Sequence, residues 1–243
     1  MTKFILIRIA LGLLSLLAVS VLIFAATEIL PGDVASAILG QGATPETLAA
    51  FREELGLNRP AYVRYFEWFS GAIQGDFGVA MTNKREILPE LMRKFKNTLF
   101  LAGVAALIAV PISVGLGIIA AINEGKWQDR WSNIVSLATI SVPEFFIAYI
   151  LILVFAVKLR WFPSLSTVFD GMGLGEKLYK IALPALTLTL LVAAHMLRMT
   201  RSSVLAIMSQ PYIEMAFLKG MPRSRVILKH ALPNAAAPII SVI

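Results

Sequence analysis

Four stretches of this chain are long and almost free of charge: Ile9 to Thr27, Asn97 to Asn123, residues 131–157 and Ile181 to Leu197. A fifth begins at Ala231 and runs to Ile243. A helix needs about 20 apolar residues to cross a hydrocarbon core of about 30 Å. One such run would suggest an anchor, whereas several predict an all-α, polytopic membrane helix bundle. The chain reaches Ile243 partway through the fifth run, so that span is expected to be truncated.

Composition agrees with this reading. Of 243 residues, 58% are hydrophobic and 15% charged, against an apolar share of roughly 45–50% in soluble domains. The net charge of +7 marks cytoplasmic loops and helix ends in so apolar a chain. No nucleic-acid-binding motif accompanies it, so no nucleic-acid partner is expected. Cysteine is absent, which excludes disulfides and thiolate metal sites. The first run follows Lys3 and Arg8 as a signal peptide would. It is too long for a typical h-region and Thr27 to Asp33 lacks a small-residue cleavage pattern, so a retained span, 1–30, is expected.

Residues 31–96 change character, with turn signals at Pro31-Gly32 and Gly40-Gln41-Gly42 and a helix start at Thr44-Pro45-Glu46. Their eight basic and eight acidic residues describe a water-facing, extracytoplasmic segment with short amphipathic helices. Residues 97–243 form the remaining core. Its first span holds Pro111, Gly115 and Gly117, which packed membrane helices tolerate because neighbours satisfy freed backbone groups. The next is interrupted by Pro143 and Glu144, with Trp127, Trp131 and Trp161 near its ends, where indoles favour the interface. Residues 158–180 are polar and glycine-rich, Ile181 to Leu197 reads as a short span broken early by Pro184, and Arg198 to His230 reads as a basic loop. Discounting the long 31–96 segment, the Lys/Arg balance of the short loops favours a cytoplasmic N-terminus.

In the basic loop stands Glu214-Met215-Ala216-Phe217-Leu218-Lys219-Gly220, then nine residues, then His230-Ala231-Leu232-Pro233. Ser209 is placed to cap a short helix, Pro211 suits its first turn, Gly220 its end, and Pro222 prevents continuation. A helix in a basic loop between spans exposes residues to a soluble partner.

This stretch resembles the E-A-A-x-x-x-G-x9-I-x-L-P signature of permeases in ATP-binding-cassette importers, with Met215 in place of an alanine and His230 in place of the usual isoleucine. Both departures are common in the peptide-importer branch, from whose pattern Phe217 departs in turn. Leu30-Pro31-Gly32-Asp33, Glu54 to Pro60, Gly75-Asp76-Phe77-Gly78, Asn97-Thr98-Leu99 and Ser141-Val142-Pro143 through Trp161-Phe162-Pro163 resemble the dipeptide/oligopeptide permease family in order along the whole chain. The resemblance implies a multi-pass subunit of the bacterial inner membrane, set in the lipid bilayer. It would pair with a second related permease above two cytoplasmic ATP-binding subunits, fed by an extracytoplasmic solute-binding protein. Glu214, Met215, Ala216, Phe217, Lys219 and Gly220 would form the element that couples to an ATPase, the coupling loop spanning 198–233. Similar sequences serve nickel, glutathione and oligosaccharides. A secondary transporter or channel is the alternative class, but the inverted repeats it predicts are not visible.

The chain is expected to be non-catalytic and to bind no cofactor itself, ATP and Mg residing on the partner ATPases. A phosphate-binding loop requires G-x-x-x-x-G-K-[ST], and before Gly125-Lys126 the first glycine is replaced by Ala120, with Trp127 where the hydroxyl belongs. His195 and His230 are the only histidines, too few for a matched metal site, and no Ser, His and acid form a recognisable triad.

Glu144 is the only acid inside an expected span, where a charge usually faces a cavity or a partner. Two readings stand: it lines the translocation path and attracts a peptide amino terminus, or it sits at a Pro143 kink, protonated or locally paired. His195 is expected to be a packed, hydrogen-bonded residue. Asp33 and Arg59 are expected to shape the external segment.

Overall fold

Helix formation follows the apolar runs but does not stop where they stop. The computed structural model describes residues 2–29, 34–40 and 42–240, and these are mostly helical, with turns, an irregular stretch over 159–173 and one isolated antiparallel bridge, Val79 to Glu86. Asp33 and the Leu30-Pro31-Gly32 that precedes it lie outside the described residues. The chain divides into two compact units, Met1–Lys94 and Phe95–Ile243.

In the first unit, α1 (Thr2–Ile29) is apolar on every side and buries no residue, the pattern of a helix whose solvent is lipid. Its 28 residues reach about 42 Å at 1.5 Å per residue. Two short helices follow, α2 (Val34–Leu39) and α3 (Pro45–Glu54). The expected start of α3 is present: Thr44 is the N-cap, its Oγ1 accepts from the Thr47 N–H at 3.3 Å, and Pro45 opens the first turn.

The next helix, α4 (Ala61–Ile73), lies against α1. Buried Tyr65 shares a 2.7 Å hydrogen bond with the Ser20 hydroxyl, and its ring meets Phe24 at 5.2 Å. Arg64 donates to Glu28 at 2.6 Å. Arg59 donates to both carboxylate oxygens of Glu67, which clamps the turn before α4 and holds the Glu67 carboxyl below the usual glutamate range. A tight turn follows, closed by Ala80 N–H to Arg85 C=O at 2.8 Å and Ile87 N–H to Gly78 C=O at 3.0 Å.

The helix α5 (Ile87–Ile122) is 36 residues long and begins ten residues before the apolar run at Asn97. Glu90 pairs with Arg93 and Lys94 one turn on, so the charged turn is satisfied within the helix. In the second unit, its buried positions Ala105, Ala109, Ser113, Gly117 and Ala121 recur every four residues. This stripe of small residues lets α8 (Leu174–Met208) approach closely. A Cβ on Gly117 would lie 2.7 Å from Thr200 Cβ and 2.9 Å from the Leu197 carbonyl oxygen. Ala121 also packs with Val204 of α8 and with Ala235 and Ile239 of the last helix.

The span expected over 131–157 is interrupted at Pro143 as its sequence suggests, into two helices bent by 101°: α6 (Trp127–Ser141) and α7 (Glu144–Leu151), which continues in π-helical form over Ile152–Lys158. Pro143 lacks an N–H and forces Val142 into extended backbone, φ −94°, ψ 130°. The expected short fourth span is corrected. Pro184 lies inside α8 without ending it, and the 35-residue helix runs eleven residues past Leu197. Residues 198–230 are therefore mostly helical. A run of charge ends an apolar stretch but not a helix, because arginine is a good helix former wherever its head reaches water or a partner. The final elements are α9 (Pro211–Leu218), α10 (Arg223–Val226), a π-helical turn Ile227–Ala231 and α11 (Leu232–Ile240). Among the described residues, three helices are long and apolar enough to cross a membrane, with the bent pair a fourth candidate.

Candidate functional site: the α9 element

Local sequence isolates α9 from the helix before it. Ser209 does not cap α9, contrary to expectation. It ends α8, where its N–H reaches the Leu205 carbonyl at 3.2 Å and its Oγ donates to the Ala206 carbonyl at 2.9 Å. A serine hydroxyl this close to a helix end finds that helix's own unpaired carbonyls first. Gln210 takes the N-cap position with extended backbone and no side-chain capping bond, its amide donating back to the Ala206 carbonyl at 3.4 Å, and Pro211 opens the helix as its sequence suggests.

Gly220 ends α9 as expected. With φ +77°, it lets its N–H reach the Phe217 carbonyl at 2.9 Å while Met221 N–H reaches the Ala216 carbonyl at 3.2 Å. These two bonds are the Schellman pattern, which satisfies two of the helix's last carbonyls. A Cβ on Gly220 would meet nothing within 4 Å. Backbone conformation, not crowding, therefore favours glycine here.

One residue anchors the helix. Ile213 is fully buried with Val226 and Ala231, and Ile207, Met208, Ala216 and Met221 close around it. The site residues consequently split. Glu214, Met215, Phe217, Lys219 and Gly220 are exposed, whereas Ala216 is turned toward the anchor. Leu218, absent from the expected site, is 80% exposed and Tyr212 is exposed beside it. Phe217 also borders an open cavity of ≈ 430 Å³ with Glu124, Leu205, Met208 and Ser209. Below α9, the Asn234 amide donates to the Tyr212 hydroxyl at 3.1 Å and to the His230 carbonyl at 2.7 Å. The π-turn before Pro233 widens the helix where proline cannot donate.

Glu144 is the first residue of α7, in the 101° break, and is exposed. Among the described residues it has no hydrogen bond or ion pair. His195 is exposed on α8, not packed as expected, because its face of the helix is left uncovered next to the buried Ala194 and Met196.

Sequence reasoning missed the ion pair that fixes the end of the α6–α8 pair. Asp129 in the first turn of α6 is 4% exposed. It accepts two bonds from Arg201, the Nη2 one at 2.8 Å, plus Gly125 N–H at 3.0 Å and Asn133 Nδ2 at 2.9 Å. Nothing local in the sequence links residues so far apart, and Arg201 reads in sequence only as one charge of the basic stretch 198–230.

The family model for the binding-protein-dependent transport system inner membrane component matches residues 113–243, from the α5 stripe through α9 to the chain's last residue. The chain belongs to this family. The family's N-terminal component matches residues 1–102. The glutathione transport system permease protein GsiC of Escherichia coli K12 is 37% identical over 233 residues, covering 96% of this chain and 74% of that protein. The same protein in Shigella dysenteriae serotype 1 matches equally, and that of Shigella boydii serotype 4 is 36% identical over the same coverage. As a member of the family, the chain is an inner-membrane permease subunit of an ABC importer that depends on a binding protein, and its apolar helices are that membrane component.

Proposed function

We propose that α9 is the element through which this permease receives the work of a cytoplasmic ATPase. The observation that carries the reading is the division of α9 between a buried anchor, Ile213, with Phe217 one turn on at the edge of the cavity beside α8, and an outward face of Met215 and Leu218. Apolar side chains held outward on a rigid, capped helix suit a groove in a soluble partner. Glu214 and Lys219 flank that face and are exposed with it. Movement of the ATPase pair would shift α9 and, through α8 and α11, switch the path between two packed states.

The chain itself is read as non-catalytic, with ATP and Mg held by two ATPase partners, a second related permease completing the path and an external binding protein delivering the solute. A short peptide is the proposed cargo, and the GsiC relatives make glutathione the first to test. Glu144, exposed in the break between α6 and α7, is proposed to line the path and meet the cargo's amino group.

The experiment is cross-linking in the assembled importer. Met215→Cys should couple to a cysteine in the ATPase with ATP-dependent yield, while Thr82→Cys should react only with an impermeant reagent applied from outside. Labelling of Thr82→Cys and Leu218→Cys from the same side would refute the assignment.

A further inference from the structure

A groove between α6 and α8 is lined by Asn133 on one wall and by His195, Arg198, Met199, Arg201 and Ser202 on the other. Its volume is ≈ 380 Å³ and it is open on one side. Asp129 occupies Arg201, and the field of Glu124 also falls on that guanidinium. Arg198 and His195 are left exposed, with no ion pair or hydrogen bond among the described residues. The Asn133 amide already donates to Asp129 and the Ser202 hydroxyl to the Met199 carbonyl, so the groove offers an uncompensated guanidinium and an imidazole as its free donors for a phosphate.

Two further observations decide what carries that phosphate. Trp127 and Trp131, both exposed on α6, bracket Asp129 and set this end of the helix pair at the membrane–water interface. Both walls then turn apolar one helical turn further in. On α8, exposed Val192, His195, Met199 and Ser202 follow one another at spacings of three and four on one face. On α6, exposed Leu137 lies one turn beyond Asn133. Asp129 meets Arg201 near the end of α8, whereas Ala148 and Ile152, later in the chain, share a cavity with Leu183, Pro184 and Thr187 near its start, so α6 and α8 run antiparallel and Val192 and Leu137 lie on the same, inner side of the polar cluster. A polar head above and an apolar track below match an amphiphile, not a free anion.

We propose that this groove binds the phosphate of an anionic phospholipid, with Arg198 as the principal contact, His195 as the second donor, Asn133 and Ser202 as walls, and an acyl chain along Val192 and Leu137. The lipid would bridge α6 and α8 beside the ion pair that already joins them.

The test is native mass spectrometry of the purified importer complex titrated with phosphatidylglycerol or phosphatidylcholine. Phosphatidylglycerol should bind about fivefold more tightly, the effect of roughly one interfacial cation. Arg198→Ala should abolish that preference, and Lys229→Ala, the same charge change at an exposed site elsewhere, should retain it. Ser202→Phe, which fills the groove and keeps every charge, should also lose it, and this variant decides the matter should Arg198→Ala fail to assemble. An unchanged preference in Arg198→Ala or in Ser202→Phe would overturn the proposal. So would displacement of the bound lipid by millimolar inorganic phosphate, which would make this a site for soluble anions.

Discussion

Asp129 and Arg201 meet through two hydrogen bonds although 72 residues separate them, and their pairing fastens the first turn of α6 to a turn of α8 that lies beyond the apolar run. The carboxylate is almost fully buried, with its side chain 6% exposed, while the guanidinium is 22% exposed. Removing one member of a buried pair costs about 3 kcal/mol or more because the other is stranded. Arg201→Met is expected to lower the thermal midpoint of the detergent-solubilised complex more than Asp129→Asn, since the stranded carboxylate is the more buried group. The double variant should recover part of the loss. Fluorescence-detected size-exclusion after heating reads all three, and equal midpoints for wild type and Arg201→Met would deny the pair a structural role.

Gly117 offers a second stability test. Its missing side chain is the space into which Thr200 and the Leu197 carbonyl fit, so Gly117→Ala forces α5 off α8 and should cost about 1–3 kcal/mol. Adding Thr200→Ala should recover only part of this, because the backbone oxygen at 2.9 Å remains. Full rescue in the same melting assay would place the conflict on the threonine alone.

At Gly220 the expected effect follows from conformation. The site is open, so side-chain size matters little, and a residue with a Cβ meets about 1–2 kcal/mol of backbone strain at positive φ. Gly220→Ala and Gly220→Glu should both impair substrate-stimulated ATP hydrolysis and import together, with normal membrane abundance. Gly220→Asn should be milder, as asparagine tolerates this backbone region better. An unimpaired Gly220→Glu would remove α9 from the coupling role.

For Glu144, the neutral isostere separates charge from shape. Glu144→Gln should leave assembly intact, because the side chain is exposed and has no partner among the described residues, yet reduce uptake of a cargo bearing a free amino group. An N-acetylated cargo should be affected less. Equal uptake of both by wild type and variant would argue against a place in the path.

The sequence by itself determined the features that depend on neighbours in the chain. Apolar runs specified α1 and the membrane-length part of α5. Thr44-Pro45 specified the start of α3, and Pro211 and Gly220 bounded α9, because caps and positive-φ turns are settled within a few residues. The tertiary structure decided where α8 ends: its polar turns pack beside α6, where Asp129 holds Arg201, and exposed Arg198 is carried along as an ordinary helix former. It also decided that Ser209 closes α8, that Ala216 turns inward on Ile213, and that His195 stays uncovered. Each of these depends on which helix lies opposite, and the packing that brings Asp129 to Arg201 is a long-range choice that no local pattern encodes.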